Sequence, residues 1–463
     1  MELRAGLLRL ETRGYGDQMN WRKPVYLTYA SLRGYRFPFL LRRYLAEYEA
    51  GIAPDTTSVA LRRLLIHSRQ KVPYYANLLS RKSLEQIEQD PVGTVQSLPV
   101  LTKDIIRANF NLLQSTDNAR RNCESNTSGG STGEPVRLIQ DDEYRNASAA
   151  ISLLTNHQLG CPVGEPHVRL WGSERDLERG TRSAKARFFN WLTNTTWINA
   201  FAMSPESMRS AINLLNQKRP RLVVAYAQST YELAKFAERE QITVAPQRAF
   251  LTSAGTLYPF MREKISQVFR CEVYNLYGSR EVSDIGWELP GLEGLWAPPW
   301  ANFIEIVDEQ GSPVPAGTEG NIVITCLTNH AMPLIRYWIG DRGALLPEHQ
   351  SPNGNQVLSH VSGRTVDTFR RSDQTLVDGE YFTHLLYFRP WVWKFQVVQK
   401  SHKQILFKIV STNGKPLQSE LDEIAARSRL AMGEDCQVNF EFCDELPPLP
   451  SGKFRYTISE VCA

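Results

Sequence analysis

Residues 221–226 read RLVVAY, and STYELAKFAEREQ follows at 229–241. The first is a short, unbroken apolar run typical of a buried strand, and the second has apolar residues at helical spacing. The pattern continues with RAFLTSAG (248–255), PFMREKISQVF (259–269) and CEVYNLYG (271–278). Strands that alternate with helices predict an α/β fold with a parallel sheet, whose binding sites lie at the carboxyl ends of the strands.

The segments before this region are predicted to be mostly helical over residues 1–95. LRRLLIHSRQKVPYYANLL (61–79) has leucines at helical spacing and a break before Pro73. LTKDIIRANFNLL (101–113) predicts another helix, with Thr102 as its N-cap. For the 229–241 helix the expected N-cap is Ser229 or Thr230.

After the alternating region, short β-rich runs within 303–346 predict a more antiparallel subdomain. The polar, turn-rich residues 364–380 read as a linker. A small module follows, and its predicted elements are strands at 393–400, 404–410 and 437–442 and a helix at 419–432. We therefore expect a large N-terminal domain over 1–366 and a small C-terminal α+β domain over 367–463.

The bulk properties indicate the class of protein. A chain of 463 residues exceeds one ordinary core, so two or three domains are expected. Its 53 basic and 49 acidic residues, with no block of like charge, predict no nucleic-acid partner. Seven scattered cysteines without a CxxC predict a reduced, cytoplasmic protein. They form no local zinc motif, although ligands far apart in sequence stay open. We expect neither a signal peptide nor a transmembrane segment.

Basic residues near the N-terminus are interleaved with Tyr, Phe and Leu. A solvated amphipathic face is the expected interpretation, and a membrane-surface or partner-binding helix is the alternative. The residues are Arg22, Lys23, Arg33, Arg36, Arg42 and Arg43.

The stretch SNTSGGSTGEPV (125–136) has three glycines within five residues, interleaved with hydroxyls. Glycines let the backbone approach a ligand closely, and backbone N–H groups in such a turn suit phosphate oxygens. The stretch is neither a P-loop nor GxGxxG. Alone it is equally typical of a plain surface turn.

Six sequence segments, which follow one another in a fixed order, carry a resemblance to a known family. They are the glycine stretch, TSAGTL (252–257), YNLYGSREVSD (274–284), RYWIGDRG (336–343), GRTVD (363–367) and LPSGK (449–453). Together they resemble the adenylate-forming superfamily of acyl-CoA synthetases and adenylation domains. The similarity is to its phenylacetate–CoA ligase branch, particularly the CapK-like members, and it spans about residues 60 to 456. It implies a large α/β domain, a small mobile C-terminal domain and a site between them.

The resemblance implies a residue-by-residue site for ATP and Mg²⁺. Gly255 would let adenine lie against the backbone, Tyr277 would stack on the adenine ring and Glu281 would bind Mg²⁺. The nucleotide-binding set is Thr127, Ser128, Gly129, Gly130, Ser131, Thr132, Gly133, Gly255, Tyr277, Gly278, Ser279, Asp341 and Arg364.

Later motifs supply the remaining roles. Asp341 would accept hydrogen bonds from the ribose hydroxyls, and Arg364 would contact ribose or phosphate. Asp367 matches the hinge position, though an Asx turn explains it nearly as well. Lys453 would bridge the carboxylate and the α-phosphate and stabilise developing negative charge.

The chain departs from the wider family pattern at two places that matter. Arg280 stands where Ser or Thr usually precedes the glutamate, so a direct contact of arginine with phosphate or the substrate carboxylate is expected. Glu134 and Pro135 follow the glycine loop, where a lysine often occurs.

The implied activity is ATP-dependent activation of a carboxylic acid, with release of pyrophosphate and transfer of the acyl group to a thiol. The thiol is coenzyme A or a carrier protein; an amine acceptor in polysaccharide or natural-product biosynthesis and a non-catalytic adenylate-binding role are the alternatives. The acid itself is not readable. Its pocket is expected to include Asn199, Phe201, Tyr226 and Ser229.

Overall fold

The structure is a computed structural model. It describes residues 20–127, 136–171, 183–199, 205–255, 257–347, 350–351, 355–364, 368–373, 375–387, 389, 391–411, 416–446 and 457–461. The described residues form two compact units. The larger contains 20–127, 136–339 and 344–360, and the smaller contains 340–343 and 361–461, each with the gaps just given.

The larger unit begins with helices. In order they are α1 (Arg22–Leu32), α2 (Phe37–Ala50), α3 (Thr56–Lys71), α4 (Pro73–Leu78), α5 (Leu84–Gln89), α6 (Pro91–Gln96) and α7 (Lys103–Ala108). The break before Pro73 is confirmed, because the extended backbone of Val72 separates α3 from α4. The Thr102 hydroxyl accepts the Ile105 N–H at 3.3 Å, which confirms the predicted cap of α7.

A two-stranded hairpin and a long helix follow. Strands β1 (Glu124–Thr127) and β2 (Arg137–Gln140) pair antiparallel, and Thr127 lies opposite Arg137. Helix α8 (Asp142–Gln158) starts directly after β2, where the Asp141 carboxylate accepts the Tyr144 N–H at 2.9 Å. The hairpin therefore holds both ends of the glycine stretch, of which 128–135 lie outside the described residues.

The predicted alternation of strands and helices is confirmed. The elements are β3 (His167–Trp171), α9 (Ala184–Thr193), β4 (Thr195–Asn199), α10 (Pro205–Lys218), β5 (Leu222–Tyr226), α11 (Ala227–Arg239), β6 (Ala249–Ser253), α12 (Pro259–Phe269) and β7 (Glu272–Ser279). Strands β3 to β7 pair in parallel. Leu222, Leu251 and their neighbours on these strands are buried between the helices, which explains the unbroken apolar runs.

One expectation at this point was wrong. Neither Ser229 nor Thr230 caps α11, because the helix begins at Ala227 directly from the strand, and its N-cap Tyr226 makes no side-chain capping bond. The Thr230 hydroxyl instead donates to the Tyr226 carbonyl oxygen at 2.8 Å, inside the first turn.

The predicted antiparallel pairing of this region is confirmed, but its strands continue the parallel sheet. Its strands are β8 (Ser283–Trp287), β9 (Leu295–Trp296), β10 (Asn302–Val307), β11 (Gly320–Cys326), β12 (Tyr337–Leu345) and β13 (Val357–Arg364). The described strands join in one sheet of eleven, in the order β10-β11-β12-β13-β9-β8-β7-β6-β5-β3-β4. The antiparallel β7–β8 hairpin is the junction, because β7 also pairs in parallel with β6.

The smaller unit contains a hairpin, two helices and a four-stranded sheet. Its elements are β14 (Thr368–Arg370), β15 (Leu376–Asp378), α13 (Glu380–Tyr387), β16 (Val392–Ser401), β17 (Gln404–Ser411), α14 (Gln418–Met432), β18 (Gln437–Phe442) and β19 (Thr457–Ser459). The sheet order is β18-β17-β16-β19. The linker predicted at 364–380 was wrong, since Thr368 to Arg370 pair with Leu376 to Asp378 as a hairpin.

No helix in the described ranges is long and apolar enough to span a bilayer. Six cysteines in the same ranges are free thiols: Cys123, Cys161, Cys271, Cys326, Cys436 and Cys443.

Candidate functional site

The turn between β7 and β8 carries the predicted metal-binding carboxylate. Glu281 is 5% exposed, and the hydroxyl of fully buried Tyr337 donates to its Oε1 at 3.3 Å. Arg280, the preceding residue, is exposed. Asn302 stabilises the turn, because its Nδ2 donates to the carbonyl oxygens of Val282 and Asp284, each at 3.3 Å. The turn thus buries the Glu281 carboxylate and leaves the neighbouring Arg280 exposed.

Gly278 permits this tight hairpin. It lies opposite Asp284 beside a register irregularity in β7. A Cβ atom at Gly278 would lie 3.0 Å from the Ser283 carbonyl oxygen and 3.3 Å from the Asp284 Cα. Ser283 itself has φ of +64°, in the left-handed region. Close backbone approach therefore favours glycine in the YGSRE motif.

The β1–β2 hairpin is tied to this turn by an amide side chain. Gln140 donates from Nε2 to the Arg280 carbonyl oxygen at 3.0 Å. Its Oε1 accepts from Asn126 Nδ2 at 3.0 Å, and the Asn126 side-chain oxygen accepts the Thr127 N–H at 2.9 Å. Thr127, the only described residue of the predicted phosphate loop, therefore connects through two amides to the residue before Glu281. Sequence reasoning missed Gln140 and Asn126, because single amides carry no spacing signal.

The far end of β2 is anchored by a buried acid. Asp141 is 1% exposed; besides capping α8 it accepts the backbone N–H of His330 at 3.2 Å. Arg121 lies 3.4 Å from the same carboxylate oxygen. His330 is 2% exposed, and its Nδ1 lies 3.4 Å from the partly exposed Glu143 carboxylate. Burial lowers the pKa of His330 to about 3, so this imidazole is neutral near neutral pH.

This burial predicts a pH-dependent stability. The pKa of His330 is lower in the folded state than in the unfolded state, so the unfolded state binds more protons as the pH falls. The contribution of His330 to stability is fully present at pH values above the unfolded pKa of about 6.5. It is lost progressively as the pH falls towards the folded pKa of about 3. From about pH 7 to about pH 5.5 the free energy of unfolding should fall by roughly 1 kcal/mol from this group. Urea unfolding at both pH values measures it.

His330→Gln should reduce the dependence of that free energy on pH. His360→Gln, at an exposed position, is the matched control and should keep the wild-type dependence. An unchanged slope in His330→Gln would show that the buried imidazole is not the titrating group.

The carboxyl ends of adjacent parallel strands carry the other predicted residues. Trp171 pairs with Asn199 across β3 and β4, and Tyr226 pairs with Ser253 across β5 and β6. Gly255 follows two residues after β6, beyond Ala254 with φ of +60°. Tyr277, partly buried, lies in the last part of β7. Asn199, Tyr226, Gly255 and Tyr277 thus lie at one edge of the sheet, where α/β proteins bind ligands.

Sequence reasoning missed an aromatic residue at this edge. The Trp171 ring lies 4.7 Å from the Tyr226 ring in an edge-on arrangement. Ser229, predicted for the pocket, is fully buried in the first turn of α11. Asn199 is exposed. The alternating pattern of HVRLW (167–171) is the signal that would have found β3, and with it Trp171.

Other predicted residues fall later in the chain or outside the described ranges. Asp341 lies within β12 and is 9% exposed, and the backbone of Arg364 ends β13. The residues outside the described ranges are Ser128, Gly129, Gly130, Ser131, Thr132, Gly133, Phe201, Asp367 and Lys453.

The described residues contain no group of three or more His, Cys, Asp or Glu that could hold a metal ion. A single buried carboxylate is still compatible with Mg²⁺, which commonly takes one or two carboxylates together with phosphates and water. Within the described residues no Lys or Arg forms an ion pair with Glu281.

Solved structures match this architecture. The structure of 2-hydroxyisobutyryl-CoA ligase in the postadenylation state with 2-HIB-AMP has a TM-score of 0.59 and 17% identity, covering 87% of this chain and 89% of that chain. The same ligase with 2-HIB-AMP and CoA in the thioesterification state has a TM-score of 0.55 and 17% identity, covering 87% and 88%. The fold is therefore that of the adenylate-forming ligases.

Sequence comparison gives the particular resemblance. The chain is 24% identical over 397 residues to protein CapK of Staphylococcus aureus, covering 84% of this chain and 85% of CapK. It is 22% identical over 309 residues to the phenylacetate-coenzyme A ligase of Aromatoleum evansii, covering 65% and 68%. Residues 369–460 match the family described as CapK C-terminal domain. The expected resemblance to the phenylacetate–CoA ligase branch, with CapK-like relatives, is confirmed.

Proposed function

We propose that this protein is an ATP-dependent ligase that converts a carboxylic acid to an acyl-adenylate with release of pyrophosphate, and then transfers the acyl group to a thiol. The observation that carries the proposal is the buried Glu281 carboxylate. It lies in a turn that Gln140 connects to the hairpin of the glycine-rich stretch. This bond supports the proposal, because it connects the turn of Glu281 to the hairpin from which the glycine-rich stretch extends.

The chemistry explains why these parts belong together. A carboxylate is anionic and has oxide as its leaving group, so it resists nucleophilic attack until it becomes a mixed anhydride with AMP. The carboxylate must then be held in line with the α-phosphate. Negative charge that develops during this attack must be stabilised by fixed positive groups.

The proposed roles are those that the family resemblance implies. The backbone from Thr127 to Gly133 would hold the β- and γ-phosphates, and Glu281 would hold Mg²⁺, which would neutralise phosphate charge. Arg280, exposed beside Glu281, takes the position of the usual hydroxyl and contacts phosphate or the substrate carboxylate. This arginine offsets the absence of a lysine after the glycine loop.

The adenosine half is proposed to lie along the edge formed by Gly255 and Tyr277, with Asp341 on the ribose and Arg364 on ribose or phosphate. The acid is proposed to lie beside Asn199, Phe201 and Tyr226, with Ser229 buried behind this edge. The domains are proposed to divide at 366/367 with Asp367 as the hinge.

Lys453 is proposed to act in adenylation alone. Lys453→Ala should lower acid-dependent pyrophosphate release by roughly 10²-fold, because a positive group at the reacting phosphate is lost. Thioester formation from supplied acyl-adenylate should continue near the wild-type rate. Lys403→Ala, in the same unit on an exposed pair with Asp435, is the control. An equal loss in both half-reactions would contradict a role confined to adenylation.

Coenzyme A is the proposed acceptor, since the phenylacetate-coenzyme A ligase of Aromatoleum evansii and the structurally similar ligase solved with CoA are both named for CoA chemistry. The test is pyrophosphate release with ATP and Mg²⁺ across aryl, fatty and amino acids, with and without coenzyme A, carrier protein or hydroxylamine. Release with one acid class and a thioester product supports the proposal. An amide product would establish an amine acceptor. Nucleotide-dependent thermal stabilisation without release would establish a non-catalytic binding protein.

A further inference from the structure

Two helices of the larger unit expose large apolar side chains on one face. Trp21 and Val25 are each 46% exposed, Phe188 is 46% exposed and Trp191 is 54% exposed. Leu32, at the end of α1, is 83% exposed. We call these five residues the aromatic patch. Exposed apolar surface is unfavourable in water, and contiguous exposed apolar patches mark binding surfaces.

The patch is continuous across α1 and α9. The rings of Trp21 and Trp191 lie 5.7 Å apart, and those of Tyr29 and Phe188 lie 6.2 Å apart. Positions 21, 25, 29 and 32 follow helical spacing, so they share one face of α1. The two ring contacts join this face to α9 at both ends, and the exposed side chains form a single surface.

The two sequence segments that carry the patch contain charged residues of one sign only. Residues 18–46 contain six basic side chains and no acidic one, and residues 183–205 contain two basic and no acidic side chains. Arg33, Arg36, Lys185 and Arg187 among them are exposed. The whole chain has a net charge of only +4. These two segments therefore carry an excess of positive charge that the chain as a whole does not have.

Arginine and tryptophan are combined within the patch itself. The Arg22 guanidinium lies 5.4 Å from the Trp21 ring and 5.8 Å from the Trp191 ring. Such pairs keep a cation at the level of the aromatic rings. Tryptophan with arginine and lysine is the composition found where a protein lies at the boundary between lipid headgroups and acyl chains.

We propose that the aromatic patch and its basic rim dock the protein onto an anionic lipid surface, with α1 and α9 lying in the plane of the interface. Helix α1 has 11 residues and so is about 16 Å long, too short to cross a bilayer. Anionic headgroups complement the exposed basic side chains Arg33, Arg36, Lys185 and Arg187. A second copy of this chain is disfavoured, because a two-fold contact would bring the same basic rim against itself.

The test uses the full chain and flotation with lipid vesicles. The protein should bind vesicles that contain roughly a third phosphatidylglycerol, bind pure phosphatidylcholine vesicles weakly, and dissociate in high salt. Phe188→Ala/Trp191→Ala and Lys185→Glu/Arg187→Glu should each lower the affinity by about 10-fold or more. Leu112→Ala/Leu430→Ala, which removes side chains that are 50% and 51% exposed elsewhere, and Arg81→Glu are the matched controls.

Thermal unfolding and circular dichroism verify that each variant is folded. Equal binding to neutral and anionic vesicles, or equal affinity of patch and control variants, would overturn the proposal. Sedimentation that shows a dimer lost in both patch variants, without vesicle binding, would assign the surface to a second copy instead.

Discussion

Replacing Glu281 by glutamine is expected to lower acid-dependent pyrophosphate release by about 10²–10³-fold without unfolding the protein. Glutamine has the same size and keeps an oxygen that can accept from the Tyr337 hydroxyl, now 3.3 Å away. It lacks the negative charge that the proposed Mg²⁺ site requires. The rate should be measured at saturating acid over a range of Mg²⁺ concentrations, and the variant should need more Mg²⁺ than the wild type.

Two further variants test whether the loss in Glu281→Gln comes from the missing negative charge at this position. Tyr337→Phe keeps the carboxylate but removes its hydrogen-bond donor, so it should cause a smaller loss, about 10-fold. Glu288→Gln changes a carboxylate that follows β8 and pairs with Arg262 at 2.7 Å, away from the turn. It should leave the rate per folded molecule near that of the wild type. A wild-type rate in Glu281→Gln would remove this residue from the site.

The second large effect concerns stability. Arg336→Met is expected to lower the free energy of unfolding by about 3–5 kcal/mol, because it leaves a buried charge without its partner. Arg336 and Glu305 are each 3% exposed and lie 3.2 Å apart. The guanidinium also donates to the carbonyl oxygens of Leu98 at 2.6 Å and Gly311 at 2.7 Å. The Arg336 side chain thus links two loops to β10. Urea unfolding in the absence of nucleotide measures the effect of Arg336→Met on the free energy of unfolding.

The matched control is an exposed ion pair. Lys264→Met breaks a pair with Glu238 at 2.8 Å, and it should change the same free energy by at most about 1 kcal/mol. Arg336→Met/Glu305→Leu should recover part of the loss, since no unpaired charge stays buried. A double variant as unstable as the single one would show that the backbone acceptors of Arg336, which are Gln96, Leu98 and Gly311, account for the effect rather than Glu305.

Sequence reasoning succeeded where local chemistry decides the structure. The helix predicted at 259–269 has those bounds, because proline begins it and Arg270, with φ of +49°, ends it. The predicted strand 437–442 is also confirmed. The Glu281 turn follows from the YGSRE motif, whose glycine is favoured by a close backbone contact.

It failed where partners far apart in the chain decide the structure. Thr368–Arg370 and Leu376–Asp378 are strands of three residues each, and only their pairing distinguishes them from a linker. Gln140 became part of the site through a bond to Arg280, 140 positions away. The His330 and Asp141 contact spans 189 positions. Hydrophobic periodicity cannot register such contacts, because they depend on tertiary packing.

The most direct test of the central claim is acid-dependent exchange between ATP and labelled pyrophosphate, with the wild type and Glu281→Gln side by side. Exchange requires reversible formation of an acyl-adenylate and does not depend on which acceptor is used. The account predicts exchange that appears with one class of carboxylic acid and is lost in Glu281→Gln. ATP binding with no exchange for any acid, or exchange that survives unchanged in Glu281→Gln, would contradict it.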